Sequence, residues 1–254
     1  MTELFITSWL ITAIFLMVAI AYSSIGLGGG STYTALLVIS GFFSDSIPLI
    51  SLSLNLLVTS IGSYYFIRQG HLRYSLIIPF LLTSLPMAWV GGMLQVSPVI
   101  FQALLLISLL FVVFRIYFMQ DTAFQLQISQ QQKLLISLIA GGLLGLLAGI
   151  VGIGGGIYLV PLILILGLGS IKEAAACGAI FVWLNSLVGL VSRLQYNYVD
   201  LSIYYPLLIA VIIGGIFGSK LGASRLPVKR MEKLLGLIVV VAVGLLTRNL
   251  IMDV

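Results

Sequence analysis

The chain has 254 residues, of which 61% are hydrophobic and only 7% are Asp, Glu, Lys or Arg, where an ordinary soluble domain carries roughly 25% charge. So little charge cannot cover a surface in water, and a mean hydropathy of +1.23 agrees. A disordered chain, a disulfide scaffold and an ordinary cytosolic enzyme are excluded. The net charge of +5 comes from Lys and Arg scattered between long apolar runs, which form no basic face for nucleic acid. The one cysteine, Cys177, makes neither an internal disulfide nor a zinc site and reads as a small buried hydrophobe.

Met1 to Glu3 carry no basic n-region, so the first apolar segment is expected to be retained as a span. About 20 apolar residues cross a bilayer core as a helix. Breaks at charges, prolines and glycine clusters predict ten segments: Leu4–Tyr22, Ser31–Phe42, Ile47–Ile67, Tyr74–Leu94, Val99–Met119, Leu134–Ile150, Ile157–Leu168, Ala174–Leu194, Leu201–Ser219 and Leu234–Thr247. The second and seventh are short, and each follows a glycine cluster. The polar stretch 121–133, rich in Gln, is expected to be a linker, in part a helix on the membrane surface. It divides the chain into repeats at 1–120 and 134–254.

The halves resemble one another. Gly26-Leu27-Gly28-Gly29-Gly30 returns 126 residues later as Gly152-Ile153-Gly154-Gly155-Gly156. Ser75 to Pro79 returns as Ser202 to Pro206, and Gly91 with Leu94 returns as Gly218 with Leu221, both after 127 residues. Pro98 is matched with Pro227, and Asn55 with Asn185 at an offset of 130. If each half crosses an odd number of times, ten of the 12 Lys and Arg fall on one face, leaving Arg193 and Arg248 opposite. An even number would split them six and six. The tendency of Lys and Arg to stay on the cytoplasmic side prefers the first arrangement. The expected fold is therefore an all-α polytopic membrane protein, two halves in inverted repeat, with 8–10 transmembrane segments. Both termini would lie outside.

Inverted repeats with short, glycine-interrupted helices point to a transporter whose site lies where the halves meet. Glycine allows close backbone approach, and a helix starting just after each cluster would aim its free N–H groups and positive dipole end into the loop. Two such ends would hold an anion without a charged side chain. The candidate ligands are Gly28, Gly29, Gly30, Ser31, Thr32, Asn55, Gly154, Gly155, Gly156 and Asn185. The two Asn either line the path or make hydrogen bonds between helices or to the open glycine-loop carbonyls. Glycines 141, 142, 145, 214 and 215 read instead as close helix packing. Asp45, Asp121, Glu173, Asp200 and Glu232 fall at segment ends, so no acid stands ready for a cation or proton at mid-membrane. Arg68, His71 and Arg193 read as interface anchors with snorkelling side chains, the alternative being attraction of an anion to the mouth.

Ser23 to Gly30, Leu54-Asn55-Leu56-Leu57-Val58 and Gly70-His71-Leu72 resemble the first half of the TauE/SafE, or sulfite exporter, family of membrane transporters. Gly152 to Gly156 followed by Pro161, and Gly218 and Gly222 leading to Pro227, resemble its second half. The resemblance implies a bacterial or archaeal inner-membrane carrier, often an exporter, for sulfite, an organosulfonate or thiosulfate. It implies about eight spans, the two short segments being half-helices. Ala176-Cys177-Gly178-Ala179 departs from a Thr-Ser-like pair expected there. An anion channel and a carrier of small carboxylates are the alternative readings, and a homodimer is compatible with all three. No nucleophile with its base, metal-ligand cluster or phosphate-binding loop motif is evident, so neither an enzyme nor a cofactor is expected.

Overall fold

The computed structural model describes residues 2–42, 46–118, 128–198, 200, 204–224, 236–237 and 239–248. Among these there are ten helices and no strand: α1 (Thr2–Ser24), α2 (Gly30–Ile39), α3 (Ile47–Arg68), α4 (Tyr74–Met93), α5 (Pro98–Phe118), α6 (Gln130–Val151), α7 (Gly156–Ile165), α8 (Ile171–Leu194), α9 (Tyr205–Ser224) and α10 (Val239–Arg248). Each coincides with one predicted segment, with small shifts at the ends. Five of them, α3, α4, α6, α8 and the Tyr205–Gly222 part of α9, are long and apolar enough to cross a membrane. Five is the number that meet this criterion among the described residues, beside the 8–10 crossings expected. The helices α1 and α5 run for 23 and 21 residues, with described apolar stretches Trp9–Ser24 and Pro98–Phe114.

Local chemistry explains the ends. Pro48 opens α3, where its missing N–H costs nothing. Capping boxes start α6 and α8: Ser129 with Gln132, and Ser170 with Glu173, each exchange side-chain-to-backbone bonds. The first box corrects the expected linker. Gln130 to Lys133 form the first turn of α6, because Ser129 satisfies its free N–H groups. Residues 121–127, Ser202 and Pro227 lie outside the described residues.

The molecule is apolar inside and out. Phe15, Tyr33, Ile50, Leu54 and Phe181 are buried, while Leu82, Ile107, Leu143 and Phe217 are each more than half exposed. Such a surface needs lipid as solvent. Two helix pairs pack most extensively, α4 on α6 and α1 on α9. Both are drawn together by glycines four residues apart. Gly141, Gly145 and Gly149 of α6 lie against the carbonyls of Phe80, Ser84 and Ala88. Gly214, Gly218 and Gly222 of α9 lie likewise against Leu16, Ile20 and Ser24. A stripe of small residues lets backbones approach where lipid tails compete with side chains. Between these pairs α3 crosses α8; α9 also packs on α3, and α4 on α8. These larger pairings map onto one another if α1–α5 and α6–α10 exchange places. The short helices α2 and α7 pack beside α3 and α8, so both glycine loops reach the centre.

Candidate functional site

Both short helices begin on a left-handed glycine. Gly29 (φ 85°) precedes α2 and Gly155 (φ 75°) precedes α7, and neither helix receives a side-chain cap. A side chain at either φ would be strained. The loops differ, because Gly154 also has positive φ (78°) whereas Gly28 does not. At each start the first two amides, those of Gly30 and Ser31 and of Gly156 and Ile157, have no acceptor within the helix.

The two loops meet. A methyl built on Gly30 would strike Asn55 Nδ2 and come 2.8 Å from the carbonyl of Ile153 in the other loop. Ser51 Oγ donates to Gly152 O at 2.9 Å and lies 3.2 Å from Gly30 O, while accepting from Thr34 Oγ1 at 2.8 Å. Asn55 Nδ2 donates to Gly152 O at 3.4 Å. This orients the amide: its Oδ1 faces Gly28, 2.5 Å from where a Cβ would stand, and is buried without a donor. Ser186 Oγ, beside Gly154, is also buried and unpartnered. Buried polar atoms are nearly always satisfied, so two orphans at one junction mark a place where a ligand's polar atoms would fit.

Asn185 is not the counterpart of Asn55. Its Nδ2 donates to Ser84 Oγ at 3.1 Å and to Phe181 O at 2.8 Å, tying α8 to α4. The residue that meets Gly154 and Gly156, as Asn55 meets Gly28 and Gly30, is Val182. Thr59, near Gly28, has its match in Ser186 near Gly154. These pairs are 127 residues apart, the spacing of the other landmarks. One face of the junction therefore carries an amide and the other a valine.

Ser31 and Thr32 are buried at the start of α2, but their hydroxyls are already engaged. Tyr22 OH is 3.0 Å from Ser31 Oγ and 2.7 Å from Thr32 Oγ1. Tyr22 was not singled out by the sequence, although its place four residues before Gly26 sets it beside the loop. Tyr33 was also missed; its ring underlies Gly29 and stacks on Phe15 at 5.1 Å.

Arg193 corrects another expectation. It does not snorkel: it is 7% exposed and binds the carbonyls of Gly149 and Ile150 at the end of α6. It also lines a cavity of about 230 Å³ with Pro48, Gln95 and Asn197. Arg68 and His71 stay at the far end of α3, where Arg68 Nη1 donates to Tyr64 OH at 3.2 Å. Cys177 is buried. Among the described residues no group of three or more His, Cys, Asp or Glu could hold a metal ion.

An all-helical bundle with a lipid-facing apolar surface, and a centre built from two glycine loops, defines a multi-pass membrane protein with a polar junction at its core. Its relatives name the class. The family described as "Sulfite exporter TauE/SafE" matches residues 11–246, and the chain belongs to that family of membrane transporters. It is 29% identical over 233 residues to "Probable membrane transporter protein y4hK" of Sinorhizobium fredii, covering 90% of this chain and 93% of that protein. Over 80 residues it is 36% identical to "Probable membrane transporter protein YunE" of Bacillus subtilis, covering 32% of this chain and 28% of that one. No solved structure gives a significant match.

Proposed function

We propose that the protein is a secondary carrier of a small sulfur-containing anion, exporting it by alternating access around the glycine junction. The observation that carries this reading is the meeting of both loops, where the first amides of α2 and α7 have no acceptor within their helices and the Ser186 hydroxyl is buried without a partner. Gly28, Gly29, Gly30, Ser31 and Thr32 on one side, and Gly154, Gly155 and Gly156 on the other, supply backbone N–H groups and helix N-termini for an oxyanion. Ser186 stands beside Gly154, and its neighbour in α8, Asn185, keeps a buried Oδ1 without a partner, so both belong to the proposed site. The halves 1–120 and 134–254 would be inverted repeats in a bacterial or archaeal inner membrane, with both termini outside. The exchangeable pairing of helices and the distribution of Lys and Arg support this arrangement. Rocking one half against the other would expose the junction to each side in turn. The family's description, which names sulfite, supports the choice of anion.

Counterflow in proteoliposomes tests it. Vesicles loaded with unlabelled sulfite, thiosulfate or an organosulfonate should take up labelled sulfite with saturable, trans-stimulated kinetics. Gly29→Val and Gly155→Val variants should abolish uptake while the detergent-purified protein stays folded. Exchange of carboxylates alone, large single-channel currents, or normal transport by both variants would overturn the reading.

A further inference from the structure

The cavity that Arg193 lines lies between water and the second glycine loop. Exposed Gln95 and half-buried Asn197 stand at its outer part, and buried Pro48, Ile150 and Arg193 at its inner end. Its volume is about 230 Å³, against about 30 Å³ for one water in the liquid, so a small oxyanion fits with part of its hydration. Behind the inner end is Gly152. A methyl there would come 2.9 Å from Pro48 Cα, and Ser51, in the next turn of α3, donates to Gly152 O at 2.9 Å. Among the described residues no carboxylate lines the cavity. The guanidinium stays charged at any working pH. The α6 carbonyls that hold it bring the partial charge of a helix C-terminus, about half a unit, so a net positive potential faces the cavity. Apolar walls, Leu94 and Phe101 among them, concentrate that potential.

Resting on the carrier reading, we propose that this cavity is a second anion site, an anteroom in which Arg193, Gln95 and Asn197 hold a small oxyanion or alkanesulfonate at the threshold of the glycine junction. The junction offers N–H groups and neutral side chains. An anion drawn there straight from water would shed its hydration before meeting a formal charge, which is costly. At Arg193 the charge is met first, while water still enters beside Gln95. The two side-chain amides each carry an NH2 group that can donate to an anion oxygen. The same potential keeps cations out of this approach.

Thiol accessibility in the full-length protein in non-ionic detergent tests the site. In a Cys177→Ala background, Asn197→Cys puts one thiol in the cavity. Its reaction with anionic sulfonatoethyl methanethiosulfonate is compared with that of the cationic trimethylammonioethyl reagent, each normalised to a small thiol in solution. The anionic reagent should be favoured about tenfold, as expected for a unit charge within several Å of the path at a partly shielded site. Methanesulfonate should slow a neutral methyl reagent saturably, where bulky gluconate at equal ionic strength does not. Adding Gln95→Glu should bring the reagent ratio to about one and weaken the protection. Gln95→Cys, with Asn197→Asp as the opposing charge, is the second reporter should the first protein not fold. A thiol that no reagent reaches, equal normalised rates for the two charged reagents, or a ratio and protection unmoved by the opposing charge would overturn the anteroom. If counterflow proceeds normally in that case, the carrier reading stands without it. Anion preference and protection in a protein that exchanges no anion would instead overturn the carrier reading and leave a binding site at Arg193.

Discussion

The Arg193 guanidinium donates from Nη2 to Gly149 O at 2.8 Å, its Nε adding a second contact at 3.2 Å, and the same Nη2 reaches Ile150 O at 2.6 Å. These carbonyls belong to the last turn of α6, where the helix itself offers no N–H. A cation at a helix C-terminus also meets the negative end of the dipole. The bonds fix the end of α6 where Gly152 turns into the second glycine loop. Arg193→Met should therefore cost about 3 kcal/mol, since hydrogen bonds to charged donors contribute roughly 1.5–3 kcal/mol each. Melting in detergent should fall by about 6–12 °C. Arg193→Lys, keeping the charge but not the fork, should fall in between. Equal stability of all three proteins would show that the tether is dispensable.

The glycine stripe makes a sharper test of packing. A methyl at Gly145 collides with the carbonyl of Ser84, and one at Gly222 with that of Ser24. Both neighbours are backbone and cannot rotate away. Gly244, in α10, has nothing within 4 Å of the same point. Gly145→Ala should be destabilising by about 1–3 kcal/mol, as overpacked interiors are. Gly244→Ala should be neutral or stabilising by up to about 1 kcal/mol from helix propensity alone. Denaturant titration in mixed micelles reads both, and a matching loss in the two variants would refute the packing account.

Particular residues show how far the sequence could be read. The ten segments were legible because prolines, charges and glycine clusters interrupt apolar runs at helix ends, as Pro48 and Gly29 do. The two loops were legible as a pair because glycine is needed where backbones meet. Asn185 makes the interhelical bond that is one of its two expected roles, but a shared residue type hides the spacing: the other landmarks stand 126 or 127 residues apart, and from Asn55 that spacing leads to Val182. Arg193 was misread because proximity to a segment end suggests lipid headgroups, while the carbonyls it binds come from a helix 43 residues away in sequence. Tyr22's grip on Ser31 and Thr32 depends on the turn at Gly26, which no local pattern specifies.

His71 should give the protein a small acid sensitivity. Burial lowers its pKa below 6.5, Lys172 lowers it further, and Glu173 opposes both. Folding thus disfavours the imidazolium. Stability is complete above about pH 6.5 and declines as the pH falls from there toward the lower folded-state pKa, below which the loss is constant. His71 is the single histidine in the chain, so the effect can be assigned. The difference in melting temperature between pH 7.5 and pH 5.5 should shrink in His71→Gln. A difference unchanged by the substitution would place the sensitivity elsewhere.

Tyr22 links stability to the site. Its hydroxyl meets Ser31 Oγ at 3.0 Å and Thr32 Oγ1 at 2.7 Å, all three residues being at most 2% exposed. Tyr22→Phe keeps the ring but leaves both α2 hydroxyls short of a partner in an apolar interior. The cost should be about 1–3 kcal/mol, the usual penalty for a buried polar group left unsatisfied. The freed hydroxyls would then turn toward other acceptors, including the carbonyls of their own helix. That changes which donors the first loop can offer an anion. Weaker binding is therefore expected along with the stability loss, by about threefold to tenfold, or roughly 1 kcal/mol. Thermal melting and anion titration on the same preparation separate the two effects. A stability loss with unaltered affinity would assign Tyr22 to packing alone and remove Ser31 and Thr32 from the anion's surroundings.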